Sequence, residues 1–171
     1  MTHPTGEPDA DPSLVRGARL GVDVGSVRVG LAASDPDGLI ATPVATLPRD
    51  TARRSVGAPT DVARIAEEVA ERGASVVYVG LPRHLSGNEG SATQEARAYA
   101  GSIASIIDPV PVRLVDERMT TVSAHQALRA SGRSGRKHRT VVDQAAAVII
   151  LQTALDSERA TGARAGELVE L

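Results

Sequence analysis

The sequence predicts an α/β protein organised on a mixed five-stranded sheet, a three-strand antiparallel meander continued by parallel strands and flanked by helices. Three observations carry that expectation. Arg19 to Val24, Val27 to Ser34 and Ala41 to Leu47 are apolar, partly alternating runs, and Gly25-Ser26 between the first two is short enough for a tight hairpin. Beyond Thr60, apolar stripes at helical spacing alternate with short Val-rich runs, the pattern of buried parallel strands joined by helices. The chain has 171 residues, which suits one domain burying on the order of two-thirds of its unfolded surface.

Each element follows in order. Met1 to about Gly17 is rich in Pro, Asp and Gly without periodicity, so residues 1–17 read as a disordered tail. After the meander, Thr60 reads as an N-cap with Asp61 in the first turn, and Val62, Ile65, Ala66, Val69 and Ala70 form a stripe ending at Gly73. Ser75 to Gly80 is the next strand. The loop from Leu81 to Gly90 leads into Ser91-Ala92-Thr93-Gln94, a capping-box pattern that predicts a helix to about Ile107. Val110 to Val115 predicts the fifth strand and delivers Asp116 and Glu117 at its end. Thr121 is expected to cap a helix through about Ala130, and Ser131 to Arg139 reads as a Gly, Ser and Arg loop with no apolar anchor. From Thr140, the stripe Val142, Ala145, Ala146, Ile149 and Thr153 marks a closing helix that frays after about Arg159. The domain is therefore expected over 18–159, with a flexible tail over 160–171. There is no internal repeat.

Composition excludes several kinds of chemistry. Phe and Trp are absent and aromatics make up 1%, so the core is built from Val, Ile, Leu and Ala, and base stacking on aromatic platforms is nearly excluded. The absence of cysteine removes disulfides, zinc-thiolate sites and thiol nucleophiles together. Ala145 to Leu151, the longest wholly apolar run, is far too short to span a bilayer, and the N-terminus lacks a basic segment followed by an apolar one. A soluble, cytoplasmic protein with no membrane partner is expected. A net charge of -2 gives no global attraction to nucleic acid, so local clustering has to supply it.

Asp23, Glu117 and Asp143 stand at the ends of predicted strands or helices, where carboxylates can converge on hard cations that prefer oxygen ligands. Each has a plainer alternative. Asp23 can serve as a turn residue before Gly25, although a carboxylate within an apolar strand is costly without a cation or donors. Asp143 can serve the helix start, since Thr140-Val141-Val142-Asp143 resembles a capping box with an acid near the helix dipole. Asp116 and Glu117 cannot face the same way if the strand runs through both, and either can be the ligand. Arg28 and Arg118 are candidates to position a substrate phosphate or to pair with a neighbouring carboxylate. Arg129, Arg133, Arg136, Lys137, His138 and Arg139 form a basic cluster shortly before Asp143, suited to phosphate contact or simply to solvation. His84 and His125 are isolated and lack metal-ligand spacing. The glycines of the Gly80 to Gly90 loop can serve a phosphate at the following helix or only turn the chain.

The element order, a meander followed by alternating helices and strands, is what a ribonuclease-H-like sheet requires. Four blocks, Leu20 to Ala32, Val79-Gly80-Leu81-Pro82 with Gly87 and Gly90, Val115-Asp116-Glu117-Arg118-Met119-Thr120-Thr121, and Val142-Asp143-Gln144-Ala145-Ala146-Ala147, resemble the YqgF/RuvX family in order and spacing from Arg19 to Leu155. The resemblance implies a ribonuclease-H-like nuclease that matures the 5′ end of pre-16S rRNA, with Holliday junction resolution as the competing role. It assigns Glu117 rather than Asp116 to the metal. The expected mechanism is phosphodiester hydrolysis with one or two Mg²⁺ or Mn²⁺ ions held by Asp23, Glu117 and Asp143. Arg28, Arg118, Arg133, Arg136, Lys137 and Arg139 are the expected substrate contacts. The partners would be precursor rRNA or branched DNA, together with ribosomal particles, bound by a monomer or a homodimer. Two other classes compete: a phosphotransferase of the actin and sugar-kinase type, suggested by Asp23-Val24-Gly25-Ser26 but needing a second half, and a non-catalytic RNA-binding ribosome-assembly factor.

Overall fold

A computed structural model describes residues 14–83, 86, 88–119 and 135–171. The meander is β1 (Arg19–Val24), β2 (Arg28–Ser34) and β3 (Ala41–Pro48), followed by helix α1 (Thr60–Arg72), β4 (Val76–Leu81), α2 (Ser91–Ile107) and β5 (Val112–Asp116). A 3₁₀ turn over Glu117–Met119 continues β5, and the chain closes with α3 (Gly135–Thr161) and β6 (Glu167–Leu168). The sheet order is β3-β2-β1-β4-β5-β6. β1 pairs antiparallel with β2 and parallel with β4, so it lies where the meander meets the parallel half.

Strand alternation sorts the sheet into two packed faces. Leu20 and Val22 of β1, Val77 and Val79 of β4, and Val112 and Leu114 of β5 pack with Val62, Ile65 and Val69 of α1 and Ala100 and Ile103 of α2. The opposite residues, Ala32, Val76, Tyr78 and Val115, pack with Ala147, Ile150, Leu151, Ala154 and Leu155 of α3. Each fully buried Val, Leu or Ile contributes about 1.5–3 kcal/mol by leaving water. The same alternation puts Gly21 and Asp23 on the α3 face, because they are offset by one from Leu20 and Val22.

α3 lies close to the sheet because glycines clear its path. A Cβ on Gly21 would stand 2.6 Å from the Leu151 Cβ, and one on Gly30 would stand 2.0 Å from the Asp143 carbonyl oxygen. No side chain fits at either distance.

Several expectations are corrected. The sheet has six strands rather than five, because β6 adds antiparallel to β5 from the segment expected to be a tail, beyond the boundary at residue 159. α3 begins at Gly135 rather than Thr140, so the loop expected to reach Arg139 is helical from 135 onward. Lys and Arg propagate a helix readily once a packed segment anchors it, and the buried turns from Ala146 to Leu155 provide that anchor. Thr60 and Ser91 are first helical residues and not caps. Pro59 precedes α1, and the Thr60 N–H instead donates to the Asp50 carboxylate at 2.8 Å. Gly90 precedes α2, where the Thr93 hydroxyl turns back to the Pro82 carbonyl. Val27 falls in the hairpin turn rather than in β2. The helix expected from Thr121 to Ala130, residues 1–13 of the expected tail, and the cluster members Arg129 and Arg133 lie outside the described residues, as do His84 and His125.

Candidate active site

Asp23 is the penultimate residue of β1 and faces α3. Its cross-strand partner on β2 is Gly30. On the other side, β4 runs parallel, and Gly80 follows Val79, the partner of Val22. Glycines thus flank Asp23 on both neighbouring strands, and an acidic residue lies against each, with Ile150 beside it at Gly80. The backbone of Asp143 rests over Gly30, and a Cβ on Gly80 would stand 2.7 Å from the Glu117 Oε1. The three acids predicted from the sequence are therefore brought to one end of β1, at the carboxyl ends of β1 and β5, where the strand order reverses. Open α/β sheets bind their ligands at such a point.

Alternation decides between the two neighbouring acids of β5. Val112 and Leu114 face α1 and α2, so Asp116 continues that face and Glu117 turns toward Asp23. Asp23 shares a hydrogen bond with Glu117, which two carboxyl groups form only with a proton between them. Burial, then the charges of Glu117 and Asp143, then the hydrogen bond to Glu117 push the Asp23 carboxyl up to about 7. Burial and then the charge of Asp116 push Glu117 up as well, against the hydrogen bond from Asp23. Asp116 goes the other way, drawn down first by its hydrogen bonds with Arg118.

Asp143 sits in the third turn of α3, since the helix begins at Gly135. It is therefore not at a helix start, and the capping alternative is overturned. Its Oδ2 accepts from the Arg28 Nε at 2.8 Å, with both side chains partly exposed. Arg118 lies on Asp116, with Nη2 to Oδ2 at 2.6 Å and its backbone N–H to Oδ1 at 2.9 Å. The expected substrate contacts Arg136, Lys137 and Arg139 belong to the first turns of α3, with side chains outside the description, and Arg133 lies outside the described residues. Sequence reasoning did not single out Arg83, which follows β4, lies 4.0 Å from Asp116 and holds Glu89 at 3.4 Å. Its position after a parallel strand was the available signal.

The donor set consists of carboxylate oxygens, the chemistry of a hard divalent cation, and such a cation would offset both the burial and the acidic neighbours that raise Asp23. The residues present fit that group by chemistry. As they stand, no three acids or histidines among the described residues are set to hold one ion. Arg28 occupies one oxygen of Asp143 in the arrangement described.

A half-antiparallel, half-parallel sheet with acids converging at the end of its first strand defines a ribonuclease-H-like protein. The solved RuvC of T. thermophilus in complex with a Holliday junction substrate shares this fold, with a TM-score of 0.55 at 16% identity over 86% of this chain and 98% of that one. A family model described as RuvX, Holliday junction resolvase, matches residues 17–157, and the chain belongs to that family. A Nocardioides sp. (strain JS614) relative named "Putative pre-16S rRNA nuclease" is 56% identical over 156 residues, covering 90% of this chain and 97% of its own. A Streptomyces coelicolor relative of the same name is 52% identical over 172 residues, covering 100% and 99%.

Proposed function

We propose that this protein is a metal-dependent nuclease that hydrolyses phosphodiester bonds in processing the 5′ end of pre-16S rRNA. The observation that carries this reading is the convergence of Asp23, Glu117 and Asp143 between two glycines, with Asp23 raised to about 7 by burial and by its two acidic neighbours. The names of the full-length relatives support the RNA substrate. Asp23, Glu117 and Asp143 would hold one or two Mg²⁺ or Mn²⁺ ions, which when bound activate water and stabilise charge on the phosphate. The proton shared by Asp23 and Glu117 would leave as the acids take up that role, and Asp116 orients Arg118 at the same strand end. Arg28, Arg118 and the basic segment with Arg133, Arg136, Lys137 and Arg139 would contact substrate phosphates.

Junction resolution is the second reading, favoured by the family's description and by the fold shared with RuvC. No helix among the described residues is long and apolar enough to cross a membrane. A side-by-side cleavage assay separates the readings: purified protein with Mn²⁺ or with EDTA, offered a precursor RNA spanning the 16S 5′ end and a four-way DNA junction. Mn²⁺-dependent cleavage of the RNA, absent from Asp23→Asn, is expected. Cleavage of the junction alone would favour the second reading, and RNA binding with no cleavage of either would favour a non-catalytic assembly factor.

A further inference from the structure

Arg28 is placed to hold Asp143. It begins β2 two residues before Gly30, so its side chain leaves the sheet on the α3 face, beside the gap over which the Asp143 backbone rests. Its Nε then meets the Asp143 Oδ2 at 2.8 Å. That oxygen is one of the two that Asp143 could offer to a cation. A cation that binds Asp143 competes with the guanidinium for the same carboxylate. The side chains are 34% and 23% exposed, which leaves the pair in reach of water and weak enough to be displaced.

We infer that Arg28 is a placeholder cation, holding Asp143 while the site lacks a metal ion and released to a substrate phosphate when the ion takes its place. This rests on the proposed metal site. A guanidinium cannot hold both partners in full, so its contribution to substrate binding depends on the ion. With Asp143 free, the guanidinium, which meets that carboxylate through Nε alone, can offer its fork of donors to a pair of phosphate oxygens.

The test uses full-length protein with two readouts that do not depend on turnover. Mn²⁺ binding is followed by the loss of the free-ion electron paramagnetic resonance signal in wild type, Arg28→Ala and Arg28→Lys. Arg28→Ala is expected to bind Mn²⁺ roughly two- to fivefold more tightly, the scale of a partly exposed ion pair, and Arg28→Lys to fall between. Binding of a short precursor RNA is then measured in EDTA and in Ca²⁺. Arg28→Ala should lose affinity in Ca²⁺ and change little in EDTA. Unchanged or weaker Mn²⁺ binding by Arg28→Ala, with wild type binding the ion, would overturn the placeholder while leaving the metal site standing. If wild type binds no Mn²⁺, the metal reading fails and the placeholder fails with it. An equal loss of RNA affinity in both buffers would assign Arg28 to the substrate at all times and overturn the exchange. Should Arg28→Ala fold poorly, as its thermal midpoint would reveal, Arg28→Lys and Arg28→Gln carry the same comparison.

Discussion

Asp23 pays for its position with stability. Its carboxyl is pushed from 3.8 up to about 7, first by burial and then by the charges of Glu117 and Asp143. A carboxyl whose folded value stands above its unfolded one keeps a proton in the fold that the unfolded chain has already lost. Stability contributed by that proton is complete below about pH 4 and is lost as pH rises toward 7. Without metal, this group should cost the protein on the order of 2–4 kcal/mol between pH 4 and pH 8, read by urea unfolding in EDTA. Asp23→Asn should remove that fall and be the more stable protein at pH 8, while losing about a hundredfold or more in Mn²⁺-dependent cleavage. A variant that retained the full pH slope would show that another group carries it. Glu117→Gln and Asp143→Asn should lose cleavage to a similar degree. Asp116→Asn should be milder, because Asp116 is engaged by Arg118 on the other face of the strand, and a larger loss there than at Glu117 would reverse the assignment.

At the scale of elements, the site depends on how closely α3 approaches the sheet. Gly30→Ala puts a Cβ 2.0 Å from the Asp143 carbonyl, so α3 must shift, with an expected loss of about 1–3 kcal/mol and of most cleavage together. Gly101→Ala on α2 meets nothing within 4 Å and should instead stabilise by about 0.5–1 kcal/mol, which makes it the control in thermal melts. The C-terminal segment is a second structural anchor. Buried Glu158 of α3 accepts from Arg19, from Arg164 at 2.8 Å and from the Tyr78 hydroxyl, and the Tyr78 oxygen accepts from the Ala165 N–H at 3.3 Å. Truncation after Gly162 removes one guanidinium from a buried carboxylate and should cost about 3–5 kcal/mol, measured by chemical unfolding. A truncated protein as stable as the full chain would show that the fold ends with α3.

For the whole molecule, legibility followed periodicity. β1, β2 and α1 could be read because Leu20, Val22 and the stripe from Val62 to Val69 repeat with periods of a strand and a helix, and the acids were singled out because each stands at the end of such a run, with the family resemblance choosing Glu117 over Asp116. β6 could not, since Glu167-Leu168 is too short to repeat, and the start of α3 was hidden by its glycines and its want of apolar anchors. The clearance at Gly30 and Gly80 has no local signature, because what makes those glycines necessary comes from distant residues. Charge follows the same rule of place over sum. Net charge is -2, and the described cations beside the site are engaged: Arg28 with Asp143, Arg118 with Asp116 and Arg83 with Glu89. The proposed attraction for a polyanion would then fall to Arg133, Arg136, Lys137 and Arg139. Four phosphate contacts would contribute a slope of about 3.6 in log affinity against log salt on duplex DNA and about 2.8 on a single strand. Because the segment is helical from Gly135, replacement by Ala or Gln rather than Ser keeps helix propensity and isolates the charge. The quadruple variant should bind precursor RNA more weakly with a flatter salt dependence and a thermal midpoint close to wild type. An unchanged slope would show that these charges serve solvation and that the phosphates lie along Arg28 and Arg118 instead.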